Sequence, residues 1–210
     1  MARNGWSRYH GAWHGKANKQ EKKMAKLAKV TIEGISPLSF SRHYTDSVEK
    51  LPKESAKDYE VRTWRNRLHV NDDGFVFIPP MAFKNALSEI AKYLSVQIPG
   101  KGKATYTKHF EAGILVVDPV ILPVKAEDVK GEWLFVPASG KRGDGKRVSK
   151  CFPVIPIGWS GIVEAHIIDS TITRDIFEQH MREAGSFIGI GRFRPRNNGF
   201  YGRFRVVGIE

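Results

Sequence analysis

Two adjacent prolines, Pro79 and Pro80, separate a β-rich stretch from a helical one. Before them, Phe75–Ile78 reads as a short strand that follows the turn signal Asn71-Asp72-Asp73-Gly74. After them, Phe83, Leu87, Ile90, Ala91 and Leu94 recur at the 3.6-residue period and stop before Ile98-Pro99-Gly100. Proline has no N–H to donate, and the first turn of a helix is where that loss does least harm. The pair therefore predicts a strand that runs directly into a helix. Any fold for this chain must contain that sharp junction and a surface to receive the helix's apolar face.

The remaining elements follow from the same patterns. Val30, Ile32 and Ile35 open a strand that Ser36-Pro37 ends. Residues 53–68 read as a helix with Val61, Trp64 and Leu68 on one face, and a basic Gly-rich loop follows Pro99. Ile114–Val117, Val120–Val124, Trp133–Val136, Val154–Ile157 and Ile162–Ile168 are β-rich. A third helix spans Thr173 to Phe187, with Ile172, Ile176, Met181, Ala184, Phe187 and Ile188 inward. Its Asp175 lies in the first turn, where a carboxylate meets the positive end of the helix. Phe204–Ile209 closes the chain as a strand. Set aside insertions at about 38–74, 96–109 and 139–150, and the order is strand–helix–strand–strand–helix–strand. That predicts an α+β domain over 29–210, a ferredoxin-like βαββαβ arrangement of the kind RNA recognition motifs also use. Residues 1–28 show no period and read as a basic, aromatic arm, disordered or docked on a partner.

Charge narrows the function. The formal net charge is +12, which points to a polyanionic partner. Residues 1–29, 139–150 and 191–205 carry +7, +4 and +5, which leaves the rest of the chain at −4. The positive charge thus sits on a tail and two loops, whereas charge serving solubility would be interspersed. Trp6, Arg8 and Trp13 in the arm suit base stacking and phosphate pairing, and equally suit docking onto a neighbouring subunit. The lone Cys151 forms no internal disulfide, and no apolar run approaches the ~18 residues of a membrane span. The polar N-terminus is not a secretory signal, so a cytoplasmic protein with no membrane partner is expected.

Three kinds of chemistry are disfavoured. Gly140-Lys141-Arg142-Gly143-Asp144-Gly145-Lys146 has the spacing of a phosphate-binding loop, but Arg147 stands where a hydroxyl would hold magnesium. Pro153 and Pro156 also forbid the helix that should follow. Gly189-Ile190-Gly191-Arg192-Phe193-Arg194 lacks the third glycine of a dinucleotide fingerprint and follows a helix. No two histidines have helical metal-ligand spacing beside a carboxylate. No metal or cofactor is implied.

Two segments resemble a known family. Ile78-Pro79-Pro80-Met81-Ala82-Phe83-Lys84-Asn85-Ala86-Leu87 is similar to the strand-to-helix segment of the RAMP proteins of CRISPR systems, with Met81-Ala82 and Asn85 in place of the usual serines and glycine. Gly189, Gly191, Gly199 and Gly202 before the last strand resemble that superfamily's C-terminal glycine-rich loop. The resemblance covers about 29–210 and implies a helical-backbone subunit of a CRISPR effector complex or a phage-encoded relative. It further implies that the inserted loops wrap RNA or touch the next subunit.

The residues themselves support a binding loop. Glycines let backbone N–H groups approach phosphates. Arg192, Arg194, Arg196 and Arg203 supply phosphate pairing beside the aromatic rings of Phe193, Phe200, Tyr201 and Phe204. Phe193 and Phe204 are expected in the core, and the first three arginines outside it. Lys84 opens a helix where its charge gains nothing from the dipole, which a ligand phosphate or an exposed helix face would explain. Arg42, Lys101, Lys103, Lys141, Arg142, Lys146 and Arg147 complete the expected contacts.

The function that follows is non-catalytic, sequence-tolerant binding of single-stranded nucleic acid, RNA ahead of DNA, in a filament or with related subunits. The alternatives are a metal-independent endoribonuclease processing guide RNA, a phage single-stranded-DNA recombination protein, and a subunit that polymerises without nucleic acid. For the nuclease, His43 would act as acid/base, with Arg42 or Tyr44 steadying the phosphorane.

Overall fold

A computed structural model describes residues 26–44, 48–139, 143 and 145–210. Trp6, Arg8, Trp13, Lys141 and Arg142 lie outside the described residues. The elements are β1 (Lys26–Gly34), β2 (Leu38–Ser39), α1 (Ala56–Thr63), β3 (Phe75–Ile78), α2 (Pro80–Leu94), α3 (Thr107–Gly113) and β4 (Ile114–Val116). They continue as β5 (Val120–Lys125), β6 (Lys130–Pro137), β7 (Arg147–Ile155), β8 (Ser160–Ile167), α4 (Arg174–Glu183) and β9 (Phe204–Ile209). A four-stranded antiparallel sheet has the order β4-β8-β1-β9. The order β2-β7-β6 forms a second sheet and β3-β5 a third. The chain is α+β, as its patterns require.

Alternation sets which way the large sheet faces. Ala28, Val30 and Ile32 of β1 are buried, as are Val163, Ala165 and Ile167 of β8. They share one core with Phe83, Leu87, Ile90 and Ala91 of α2 and with Phe177 and Met181 of α4. Phe83 meets Phe204 edge-on, with ring centroids 5.8 Å apart. Each such side chain contributes about 1.5–3 kcal/mol by leaving water. Helix α2 begins where the prolines require and ends at Ser95 in a left-handed conformation, φ 48°. Thr173 caps α4 by accepting a hydrogen bond from Ile176 N–H.

The structure departs from expectation at five places. Lys26, Leu27 and Ala28 belong to the domain, because they pair with Ile167, His166 and Ala165 on β8. The loop after Pro99 contains helix α3, which buries Tyr106 and Phe110. Arg147–Lys150 of the basic stretch belong to β7, which starts seven residues earlier than Val154 because Arg147–Ile155 pairs along β6. The helix expected at 53–68 is α1 followed by a tighter turn at Trp64–Arg67, and Val61 is exposed while Glu60 is buried. Finally, α4 ends at Glu183 and passes into a wider turn at Ala184–Ile188. Phe177 and His180 of the regular helix point inward, and the turn then shifts the phase, so Phe187 stacks on Tyr93 at the surface.

Among the described residues, no helix is long and apolar enough to cross a membrane.

Candidate nucleic-acid interface

Three segments distant in sequence meet at one open groove of about 510 Å3. Leu38, Phe40, Ser41 and Arg42 come from the segment after β1, and Pro79, Ala82 and Asn85 from the start of α2. Ile190 to Arg194 and Asn197 come from the loop before β9, with His69 and Ile78 beside them. Proline at its start leaves α2 with no side-chain cap and no acidic residue in its first turn. The positive end of the helix thus meets no carboxylate of its own first turn where it borders the groove, and Ala82 N–H donates to the Pro79 carbonyl.

The glycines shape the loop by letting backbone strands touch. Gly191 has φ 77°, and a Cβ there would lie 2.6 Å from the Ser39 carbonyl oxygen. Gly202 has φ 74° and packs against the Ile190 carbonyl with no space for a Cβ. Three of the four glycine N–H groups expected to cradle phosphate are engaged within the protein. The N–H groups of Gly189, Gly199 and Gly202 donate to the carbonyls of Ala184, Arg194 and Pro37, and Arg192 N–H donates to Ser39. These donors hold the loop together.

The arginines divide by environment. The Arg192 guanidinium lies 3.5 Å from the Phe152 ring centroid and is half-buried, so its pKa is pushed down by desolvation. Its Nη1 is buried without a hydrogen-bond partner. Arg194 pairs with Glu89 at 2.6 Å and donates to the Gly189 carbonyl at 3.3 Å. Arg196 is exposed, with its Nε 3.6 Å from the same carboxylate. Arg203 donates to the Ser186 carbonyl. Phe193, expected in the core, is 45% exposed and offers its ring at the groove's edge. Tyr201 donates to Glu132, and burial together with that carboxylate pushes its pKa up to about 12.

Lys84 is directed elsewhere. Its ammonium donates to the carbonyls of Phe110 and Glu111 and to Ser88 Oγ, one acceptor for each proton. It therefore ties α2 to the end of α3, and burial lowers its pKa. Lys101 and Lys103 are exposed on the turn before α3, and Lys146 and Arg147 are exposed on the β6–β7 hairpin. None of these lines the groove. His43 is exposed and off the lining, whereas His69 is in it. Desolvation, then the charge of Arg42, lowers the pKa of His69.

Sequence reasoning missed His69, Phe152, Glu89, Asn85 and Asn197. Asn85 and Glu89 had a visible signal, since they sit one turn apart on the polar face of a helix whose apolar face was clear. Phe152 and His69 had none, because their partners come from other elements. Among the described residues, no group of three or more His, Cys, Asp or Glu side chains is placed to hold a metal ion. Cys151 is buried, which raises its pKa.

No protein-family model matches the chain, and no curated protein matches it. Solved structures do. The chain is similar to Cmr6 from Pyrococcus furiosus, at 14% identity over 88% of this chain and 98% of that one, with a TM-score of 0.47. It is also similar to a chain in the cryo-EM structure of the type III-B Cmr-beta complex bound to cognate target RNA. That likeness has 11% identity and a TM-score of 0.52, and it covers 89% of this chain but 60% of the other. At such identity the likeness shows a shared fold. The likeness to the chain in the Cmr-beta complex is one of fold.

Proposed function

We propose that the protein is a non-catalytic, sequence-tolerant binder of single-stranded nucleic acid, RNA in preference to DNA, and a cytoplasmic subunit of a ribonucleoprotein assembly. One observation carries the reading. The strand-to-helix junction at Pro79-Pro80 and the glycine–arginine loop, far apart in sequence, line the same groove as Arg42. That groove offers guanidinium charge, a helix's positive end and an exposed aromatic ring, which together suit a sugar-phosphate chain and its bases. The neighbour with the higher TM-score belongs to a complex bound to cognate target RNA, which supports RNA as the polymer and other subunits as partners. We read the order β4-β8-β1-β9, with α2 and α4 sharing its core, as a ferredoxin-like frame for this groove.

The test is binding of a single-stranded RNA oligonucleotide, its DNA counterpart and a duplex across a salt series. The expected result is tighter binding of single strands, with log affinity falling by about 0.7 per phosphate contact for each unit of log salt. Salt-insensitive binding or a preference for duplex overturns the reading. RNA cleavage that disappears in His43→Ala would put a processing nuclease in its place.

A further inference from the structure

Glu89 stands between two of the arginines that the groove reading assigns to the ligand. Its Oε1 accepts from Arg194 Nη2 at 2.6 Å, while its Oε2 is 3.6 Å from Arg196 Nε. Oε2 is buried and has no hydrogen-bond partner. A buried carboxylate oxygen without a donor is costly, and Arg196 is drawn toward it. Arg194, 17% exposed, is held inside this pair, whereas Arg196, 59% exposed, is shared between Glu89 and solvent. The carboxylate rides on a rigid helix one turn beyond Asn85, which lines the groove.

We infer that Glu89 is a specificity-determining counter-charge that makes the groove select chains of phosphates over single anions. The inference rests on the groove being the nucleic-acid site. Glu89 and its two arginines form a triad of net charge +1, which offers a lone phosphate little. It must compete with a carboxylate already in place for each guanidinium. A polymer held at Arg42 and Arg192 brings its next phosphate to Arg196 at high effective concentration, and so wins that exchange. Arg194 stays with Glu89 and shapes the loop.

The experiment uses the full chain with Glu89→Gln, which keeps the side-chain shape and removes the charge. Binding of a single-stranded RNA oligonucleotide and of inorganic pyrophosphate is measured over a salt series. With Arg194 released as well as Arg196, one phosphate contact is added, and the slope of log affinity against log salt is expected to steepen by about 0.7. RNA binding should tighten at low salt, and pyrophosphate should bind where it does not bind the unaltered protein. In an Arg194→Ala/Arg196→Ala background, Glu89→Gln should change nothing. An unaltered slope in Glu89→Gln, or weaker binding, overturns the assignment while the groove reading stands. An unaltered protein without salt-sensitive binding overturns the groove reading and this assignment together. Should Glu89→Gln fail to fold by circular dichroism, Arg196→Ala decides. Its slope should fall by about 0.7, and no change overturns the assignment.

Discussion

The glycine–arginine loop and the β6–β7 hairpin are alike in sequence, both rich in glycine and in unlike-spaced basic residues, and unlike in structure. In the loop, Arg192 lies on Phe152, Arg194 is fastened to Glu89, and the N–H groups of Gly189, Gly199 and Gly202 close onto neighbouring carbonyls. In the hairpin, Arg147 is exposed, and a Cβ at Gly143 or Gly145 would meet nothing within 4 Å. The difference teaches that equal charge density can serve two purposes. Fixed cations lose little conformational freedom on binding, whereas solvated ones lose more and attract mainly at long range.

The largest effect expected from this contrast is on stability. Gly202→Val places a branched side chain at φ 74° against the Ile190 carbonyl, so it should lower unfolding stability by about 3 kcal/mol in urea melts. Gly145→Ala on the hairpin should change it by less than about 0.5 kcal/mol. Equal losses would show that the loop is no more tightly built than the hairpin.

Next comes affinity. Arg192→Ala/Arg194→Ala/Arg196→Ala should weaken single-stranded RNA binding at least about tenfold and uniformly across sequences, since charge-assisted hydrogen bonds contribute about 1.5–3 kcal/mol each. Lys146→Ala/Arg147→Ala should weaken it only about threefold, through long-range attraction that salt removes. Anisotropy titrations that rank the two in the opposite order would move the site to the hairpin.

The smallest effect is on proton binding. Desolvation and the Arg42 charge both disfavour protonated His69, which lowers its pKa. Removing the guanidinium in Arg42→Ala should raise that pKa toward the ordinary histidine value, as followed by NMR titration of the ring. Because the folded pKa lies below the unfolded one, stability from this group is complete above the unfolded pKa. It declines as pH falls through the folded value, and the decline should shrink in Arg42→Ala. Substituting Arg147 on the hairpin should leave the His69 titration in place.

Legibility in the sequence followed the range of the forces involved. The Pro79-Pro80 junction, helix α2 and strand β9 were readable because proline geometry and apolar period act within a few residues. The span of helix α4 was readable, but not the inward Phe177 and His180, and Phe187 was misplaced because it lies in the wider turn that changes the helical phase. The groove was half legible: Gly191, Arg192 and Arg194 are close together in the chain, while His69 lines it, and Phe152 and Glu89 hold its arginines, only through pairing of distant elements.

By itself the sequence determined the α+β class, the strand-to-helix junction and the concentration of positive charge in residues 1–29, 139–150 and 191–205, since each depends on local composition and period. Only the tertiary structure decided what the charges do. Lys84 turned inward to the carbonyls of α3, Arg194 went to Glu89, and Arg192 settled on a ring from β7. A charge takes its role from the partner that desolvation and packing bring within a few ångströms, and that partner is chosen by the fold.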